Sequence, residues 1–202
     1  MSDKKETRFL SEIAQVRTGL VLARKKAELH DENAIKYPLL SMKSIGDDGF
    51  VDPSPQDTYF ASELLNEEYI THLGDIIVRL TAPFTAAEVT REGCGIVVPT
   101  NFAIIRIKHD AMEPGFLVWY LNTSAVKRNI ASQTTGHAVV AIRPHFFSHL
   151  SVPVPSREKQ KKIAEYFHRA CEEASIVNRL LVLKRNLNDL YIQQAIHAID
   201  AE

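Results

Sequence analysis

The 202-residue chain carries 24 basic against 25 acidic side chains, for a formal charge of −1, with 45% hydrophobic and 24% charged residues. That balance excludes a bulk polycation that coats nucleic acid and a disordered chain, and it supplies enough apolar residues for one real core. The opening Met1-Ser-Asp-Lys-Lys-Glu-Thr7 has no apolar core and no apolar run approaches membrane-spanning length, which predicts a cytoplasmic protein without a membrane anchor. Cys94 and Cys171 are the only cysteines and fit a reducing compartment better than a disulfide framework.

In chain order, residues 8–155 read as a mixed, strand-rich α/β domain of the α+β kind. A basic cluster comes first: Arg17, Arg24, Lys25, Lys26, Lys36 and Lys43. Short β-branched runs bounded by Gly, Pro, Asp or Asn predict strands at 37–42, 75–80, 95–98, 102–107 and 138–142. Asp47-Asp48 beside Gly49 reads as a turn. Pro114-Gly-Phe-Leu-Val-Trp-Tyr-Leu121 and Ser124-Ala-Val-Lys-Arg-Asn-Ile130 have helical spacing and cap-like starts, and 144–150 makes one or two helical turns. Trp119, Phe146 and Phe147 sit among apolar neighbours and read as core, with base stacking as the alternative. The boundary falls at Ser151-Val-Pro-Val-Pro-Ser156, a stiff extended junction.

Beyond it, 156–201 contains neither Gly nor Pro and opens with Ser156 as an N-cap and Glu158 in the first turn. At ~1.5 Å per residue one helix of this length spans roughly 65 Å, well beyond the ~30–40 Å diameter of a domain of about 150 residues. Part of it is therefore expected to project and pair with another helix as a coiled coil. Ile163, Phe167, Ala170, Ala174, Val177 and Leu181 alternate steps of four and three, and Ile176, Leu180, Leu183, Leu187 and Leu190 form a second stripe one residue out of register. The first stripe suits docking on the chain's own domain and the second suits dimerisation. A helix folded back near Asn186-Leu187-Asn188 is the alternative.

Enzymatic motifs are missing. There is no phosphate-binding G-x-x-x-x-G-K-[ST] loop, no G-x-G-x-x-G after a strand, no G-x-S-x-G elbow and no paired-carboxylate-plus-Lys nuclease pattern, so no catalytic residue is assigned. His145 and His149 share a helical face, but no third ligand stands near them and no metal site is assigned.

Leu10-Ser-Glu-Ile-Ala-Gln-Val-Arg-Thr-Gly19, Tyr37-Pro-Leu-Leu, Leu73-Gly-Asp-Ile-Ile77, Pro99-Thr-Asn-Phe-Ala103 and Pro114-Gly-Phe-Leu-Val-Trp-Tyr-Leu121 occur in an order that resembles the specificity (S) subunit of type I restriction-modification systems. Leu150-Ser-Val-Pro-Val-Pro155 leading into Gln160-Lys-Lys-Ile-Ala164 is similar to that family's junction between a target recognition domain and a helical spacer. The usual subunit has two such sets and this sequence has one, so it resembles a half-size S subunit. The resemblance implies a recognition domain at 8–155, a spacer and dimerisation helix at 156–201, and a homodimer reading a bipartite palindrome on double-stranded DNA. It also implies a modification methyltransferase subunit as partner and a restriction subunit as a possible further one, with no cofactor of its own. S-adenosylmethionine, ATP and Mg belong to the partners.

Within that frame Arg17, Arg24, Lys25 and Lys26 are expected mainly at phosphates, with a solvated loop as the alternative. Ser41 and Lys43 leave a strand with mixed donors, and Thr81 follows Arg79. Arg79 stands at a strand end, where its guanidinium suits either a guanine edge or an internal salt bridge. Thr134, Thr135 and His137 lie in a polar loop, and Arg143 follows it. Two competing readings are a stand-alone dimeric DNA-binding regulator and a coiled-coil adaptor that ignores DNA.

Overall fold

The computed structural model describes residues 6–28, 31–46, 48–54, 57–109, 111–132 and 141–200. The chain is mixed α/β, with strands gathered ahead of one long C-terminal helix. Strand β1 (Thr7–Phe9) and helix α1 (Leu10–Ile13) lead into β2 (Ala14–Thr18). Then come β3 (Ile35–Leu39), β4 (Asp57–Ala61), β5 (Ile76–Arg79), β6 (Ala86–Glu88) and β7 (Phe102–Ile107). Helices α2 (Pro114–Asn122), α3 (Ser124–Ser132) and α4 (His145–Ser148), strand β8 (Ser151–Pro153) and helix α5 (Arg157–Asp200) complete it.

The centre is a four-stranded antiparallel sheet in the order β2-β7-β5-β6. Successive side chains of a strand point to opposite faces, so neighbours in β5 serve two cores. Ile76 and Val78 face a core closed by α1, α2, α3 and α4 through Leu10, Phe116, Leu117, Ile130 and Phe147. Ile77 faces the other way, onto Leu40, Ile45, Val51, Ile96 and Phe102. Coverage on both sides explains why β5 opens with the unbroken apolar run Ile76-Ile77-Val78. A smaller third core of Leu20, Tyr59, Ala61, Leu65, Ile70 and Val97 lies under the β3–β4 ribbon. Phe147 is fully buried, and Trp119 and Phe146 pack half-buried against the main core, as their apolar neighbours imply.

Two strand expectations are corrected. The apolar stretch 95–98 forms isolated bridges, not a strand: Val97 donates to the Pro38 carbonyl and Val98 to that of Tyr69, so successive amides bond to different neighbours. Gly95 in the left-handed region and Pro99 bound it too closely for a ladder. The strand expected over 37–42 runs Ile35–Leu39, and Met42–Ser44 is a 3₁₀ turn in which the Ser41 amide meets the Ser44 hydroxyl. Of the strand expected at 138–142 only Ala141 and Ile142 are described, and Ala141 bridges Thr81.

An ion pair locks the sheet to its flank. Asp75, 1% exposed, receives Arg106 Nε at 2.8 Å and Nη2 at 2.7 Å, and Nη2 also donates to the Ile70 carbonyl at 3.0 Å. Hydrogen bonding to the Asp75 carboxylate raises the guanidinium's pKa further above its ordinary value. The His72 amide caps the same carboxylate at 2.8 Å.

Helix α5 runs without a break from Arg157 to Asp200, so the fold-back near Asn186 does not occur. The Ser156 carbonyl accepts the first helical bond, from the Gln160 amide. Its first four turns are seated on the body through Gln160, Ile163, Ala164, Phe167, His168 and Cys171. This docked row departs from the expected stripe, because Ala170 and Ala174 are exposed. The reason is that the seat accepts polar groups. Gln160 bridges the Glu113 amide and the Pro155 carbonyl, and His168 stacks on Phe50 at 4.6 Å between centroids with Nε2 3.2 Å from Glu88 Oε2. That last contact has ion-pair distance without hydrogen-bond alignment. Arg157 reaches Glu113 at 3.0 Å.

Two glycines make the seat possible. A Cβ on Gly115 would meet the His168 ring at 2.5 Å, and one on Gly49, whose φ is +78°, would meet Phe167 at 2.9 Å. Gly49→Ala is expected to lower the unfolding free energy by about 2–4 kcal/mol, from left-handed strain plus displacement of Phe167, as read by urea titration. Asp75→Ala, which strands a partly exposed Arg106, is expected to cost about 2–4 kcal/mol in the same titration, near the low side for a buried pair.

Candidate nucleic-acid interface

The antiparallel register brings the polar segments to one end of the central sheet. Thr18 of β2 lies opposite Ala103, Arg79 of β5 lies opposite Phe102, and the 80–85 turn joins β5 to β6. The basic loop after β2, the 80–85 turn and the entry to β7 therefore share that end. The Ser41–Ser44 segment joins them through Asn101, whose Nδ2 donates to Met42 Sδ at 3.3 Å while its carbonyl accepts from the Leu80 amide at 3.0 Å. The Thr81–Ala141 bridge brings in the chain leading to Arg143. At the other end Glu88 lies opposite Ile76 and touches α5. The polar loops and the helix seat thus occupy opposite ends of the same strands.

The described members of the expected set have the following settings. Arg17, exposed on β2, is ion-paired with Glu68, and Lys25 is ion-paired with Glu63. Arg24 and Lys26 are exposed and have no ion pair among the described residues. The loop that carries them is held to the β3–β4 ribbon, since the Tyr59 hydroxyl donates to the Leu22 carbonyl at 2.7 Å and the Lys26 backbone bridges Ala61. Burial pushes the Tyr59 phenol pKa up. Gly19 starts the loop at a point where a Cβ would lie 2.2 Å from the Pro99 carbonyl oxygen, so only glycine fits.

Ser41 is half-buried and Lys43 exposed. Arg79 is half-buried and makes no salt bridge among the described residues. Thr81 is half-buried beside Ala141, and Arg143 is exposed. Thr134, Thr135 and His137 lie outside the described residues. Sequence reasoning passed over Glu63 and Glu68, valued Thr85 only as the end of the Arg79–Thr85 segment and Asn101 only as part of a motif. Nothing local marks the two glutamates, because their partners stand 38 and 51 residues away.

His145 and His149 do stack, 4.3 Å between ring centroids, but no group of three or more candidate ligands gathers among the described residues. No helix of the described residues is long and apolar enough to cross a membrane. Cys94 is exposed and Cys171 is buried in the helix seat.

Past the seat every residue of α5 from 172 to 197 is exposed. Ile176, Leu180, Leu183, Leu187 and Leu190 keep 47–63% of their surface in solvent. At 3.6 residues per turn this row lies roughly 150° round the helix from the seated face. A second helix laid on it would meet no part of the body below. The row is thus a continuous apolar face left in water.

Residues 2–182 match the family of the type I restriction modification DNA specificity domain. Three solved structures share the fold. The HsdS subunit from Thermoanaerobacter tengcongensis aligns with a TM-score of 0.63 at 18% identity, over 94% of this chain and 48% of that one. A chain from a structure on complex assembly and conformational transition of the type I R-M system gives 0.58 at 15%, over 89% and 41%. The type I restriction-modification S subunit from M. genitalium gives 0.56 at 12%, over 95% and 46%. The chain spans about half the length of each. No curated protein matches it. With its sequence matched from residue 2 to residue 182, the chain belongs to the type I restriction modification DNA specificity domain family.

Proposed function

We propose that this chain is a half-size specificity subunit: a sequence-specific reader of double-stranded DNA in a type I restriction-modification complex, without catalytic residues of its own. Residues 8–155 act as the target recognition domain and 156–201 as spacer and dimerisation helix. Arg17, Arg24, Lys25, Lys26, Lys43 and Arg143 contact phosphates, while Ser41, Arg79, Thr81, Thr134, Thr135 and His137 supply base-edge or shape contacts. The observation that carries this reading is the division of the sheet, with polar loops at one end and the seated helix at the other. Two chains pair antiparallel through Ile176, Leu180, Leu183, Leu187 and Leu190, which restores a two-domain reader by a two-fold axis. The target is then bipartite and palindromic.

The exposed part of α5, 172–197, is about 39 Å long at 1.5 Å per residue, which separates the half-sites by between one and two turns of duplex. A formal charge of −1 makes binding by the chain alone weak, because phosphate neutralisation dominates affinity. A modification methyltransferase subunit supplies further basic surface together with the S-adenosylmethionine chemistry, and a restriction subunit with its ATP and Mg joins the same complex. The setting is the cytoplasm.

Mixing the chain with the methyltransferase subunit and S-adenosylmethionine is expected to methylate adenine in one bipartite palindromic motif, mapped by methylome sequencing with and without the gene. A mixture that methylates no duplex overturns the reading. Tight binding without the methyltransferase would mark a regulator, and dimerisation with no salt-dependent DNA binding an adaptor. Inserting one heptad between Leu180 and Leu187 is expected to lengthen the spacer by about three base pairs, at ~1.5 Å per residue against ~3.4 Å per base pair, and to leave both half-sites unchanged.

A further inference from the structure

Arg79 and Thr85 are cross-strand neighbours at the recognition end of the sheet, joined by the Arg79 amide and the Thr85 carbonyl at 2.9 Å. Paired residues of an antiparallel ladder project from the same face, so the guanidinium and the hydroxyl stand together. Arg79 lies opposite Phe102, which is fully buried in the second core. Thr85 is 3% exposed and its Oγ1 has no hydrogen-bond partner among the described residues, and Arg79 Nε is likewise buried and unpartnered among them. Buried polar groups in folded proteins are nearly always satisfied, and each exception calls for a cause. Here two exceptions adjoin, under a turn whose tip, Ala82-Pro83, is exposed.

We infer that Arg79 and Thr85 form one base-reading pocket that takes the O6/N7 edge of a guanine in each half-site, an assignment that rests on the DNA-reading function proposed above. A guanine edge offers two adjacent acceptors with the spacing of the guanidinium fork. The Thr85 hydroxyl, withdrawn from the surface behind the guanidinium, accepts from Arg79 Nε and holds the fork in line when it engages that edge. A phosphate satisfies the same donors, but the setting favours a base. Arg24, Lys26 and Lys43 stand exposed for phosphates, whereas Arg79 is half-buried and its neighbour Thr85 is withdrawn from water. A dry donor pair left unsatisfied by the wrong ligand discriminates strongly, which suits a specificity contact.

The test uses the full chain assembled with its methyltransferase subunit and a duplex library randomised across the half-site. Arg79→Gln is expected to lose guanine preference at one position per half-site by roughly 10- to 100-fold, with the remaining positions unchanged. Thr85→Val, which keeps the shape and removes the unpaired hydroxyl, is expected to melt at or above the wild-type temperature and still discriminate less at that same position. A purely structural Thr85 would leave the motif untouched. An unchanged motif in both variants overturns the pocket, as does a uniform loss for Arg79→Gln across all sequences with the salt slope reduced by about 0.9, the signature of a phosphate contact. Wild-type complex that methylates a single motif secures the function independently, so failure of the variants to alter it removes only the pocket.

Discussion

The seating of α5 is the constraint on which the rest of the molecule depends. A helix of 44 residues has no reason to hold one angle to a globular body unless its first turns are fixed from several sides. Gly49 and Gly115 let the backbones of a loop and of α2 come close enough for Phe167, His168 and Ala164 to enter, while Glu113 and Glu88 anchor the polar positions. Because Glu88 belongs to β6, the helix is fixed to the same ladder whose far end carries the polar loops. The direction of the helix and the placement of the loops are then one geometric quantity. A change in sheet twist would move both together.

Charge at the loop end follows a different logic. Of the four cations Arg17, Arg24, Lys25 and Lys26 two are already matched, Arg17 by Glu68 and Lys25 by Glu63, on a chain of formal charge −1. Exposed pairs of this type contribute only about 0–1 kcal/mol, so a phosphate can take either cation from its glutamate at small cost. On the function proposed above, the surface is self-neutralised when alone and yields these cations to DNA, which limits non-specific attachment.

Much of the architecture was legible in the sequence because its signals are local. Pro114 at a helix start, the Val-Pro-Val-Pro run before Ser156 and the absence of breakers beyond it place α2, β8 and α5 within a few residues. What escaped depends on contacts between distant segments. The stretch 95–98 has the composition of a strand, but whether it forms a ladder depends on Pro38 and Tyr69, which its own residues do not encode. The seated face of α5 includes Gln160 and His168, polar side chains that a hydrophobic stripe does not register, and so Ala170 and Ala174 were drawn in instead. At the candidate interface the residue types were readable and their pairing was not. Arg79 looked equally suited to an internal ion pair, and only the fold leaves it without a carboxylate among the described residues.

The short β1–β8 ladder brings the start of the globular body beside its exit into α5. Arg8 pairs with Val152, Val154 donates to the Glu6 carbonyl and Leu10 to that of Leu150. Everything from 10 to 150 is thereby a closed excursion whose two feet stand on the same clasp. Recombination between relatives at the clasp would exchange the whole excursion as a cassette and leave the strut pointing where it did. The incoming cassette need carry only the few groups that cradle Phe167 and His168. On the function proposed above, an exchanged body would bring a new sequence preference in a single step, with the helix unchanged.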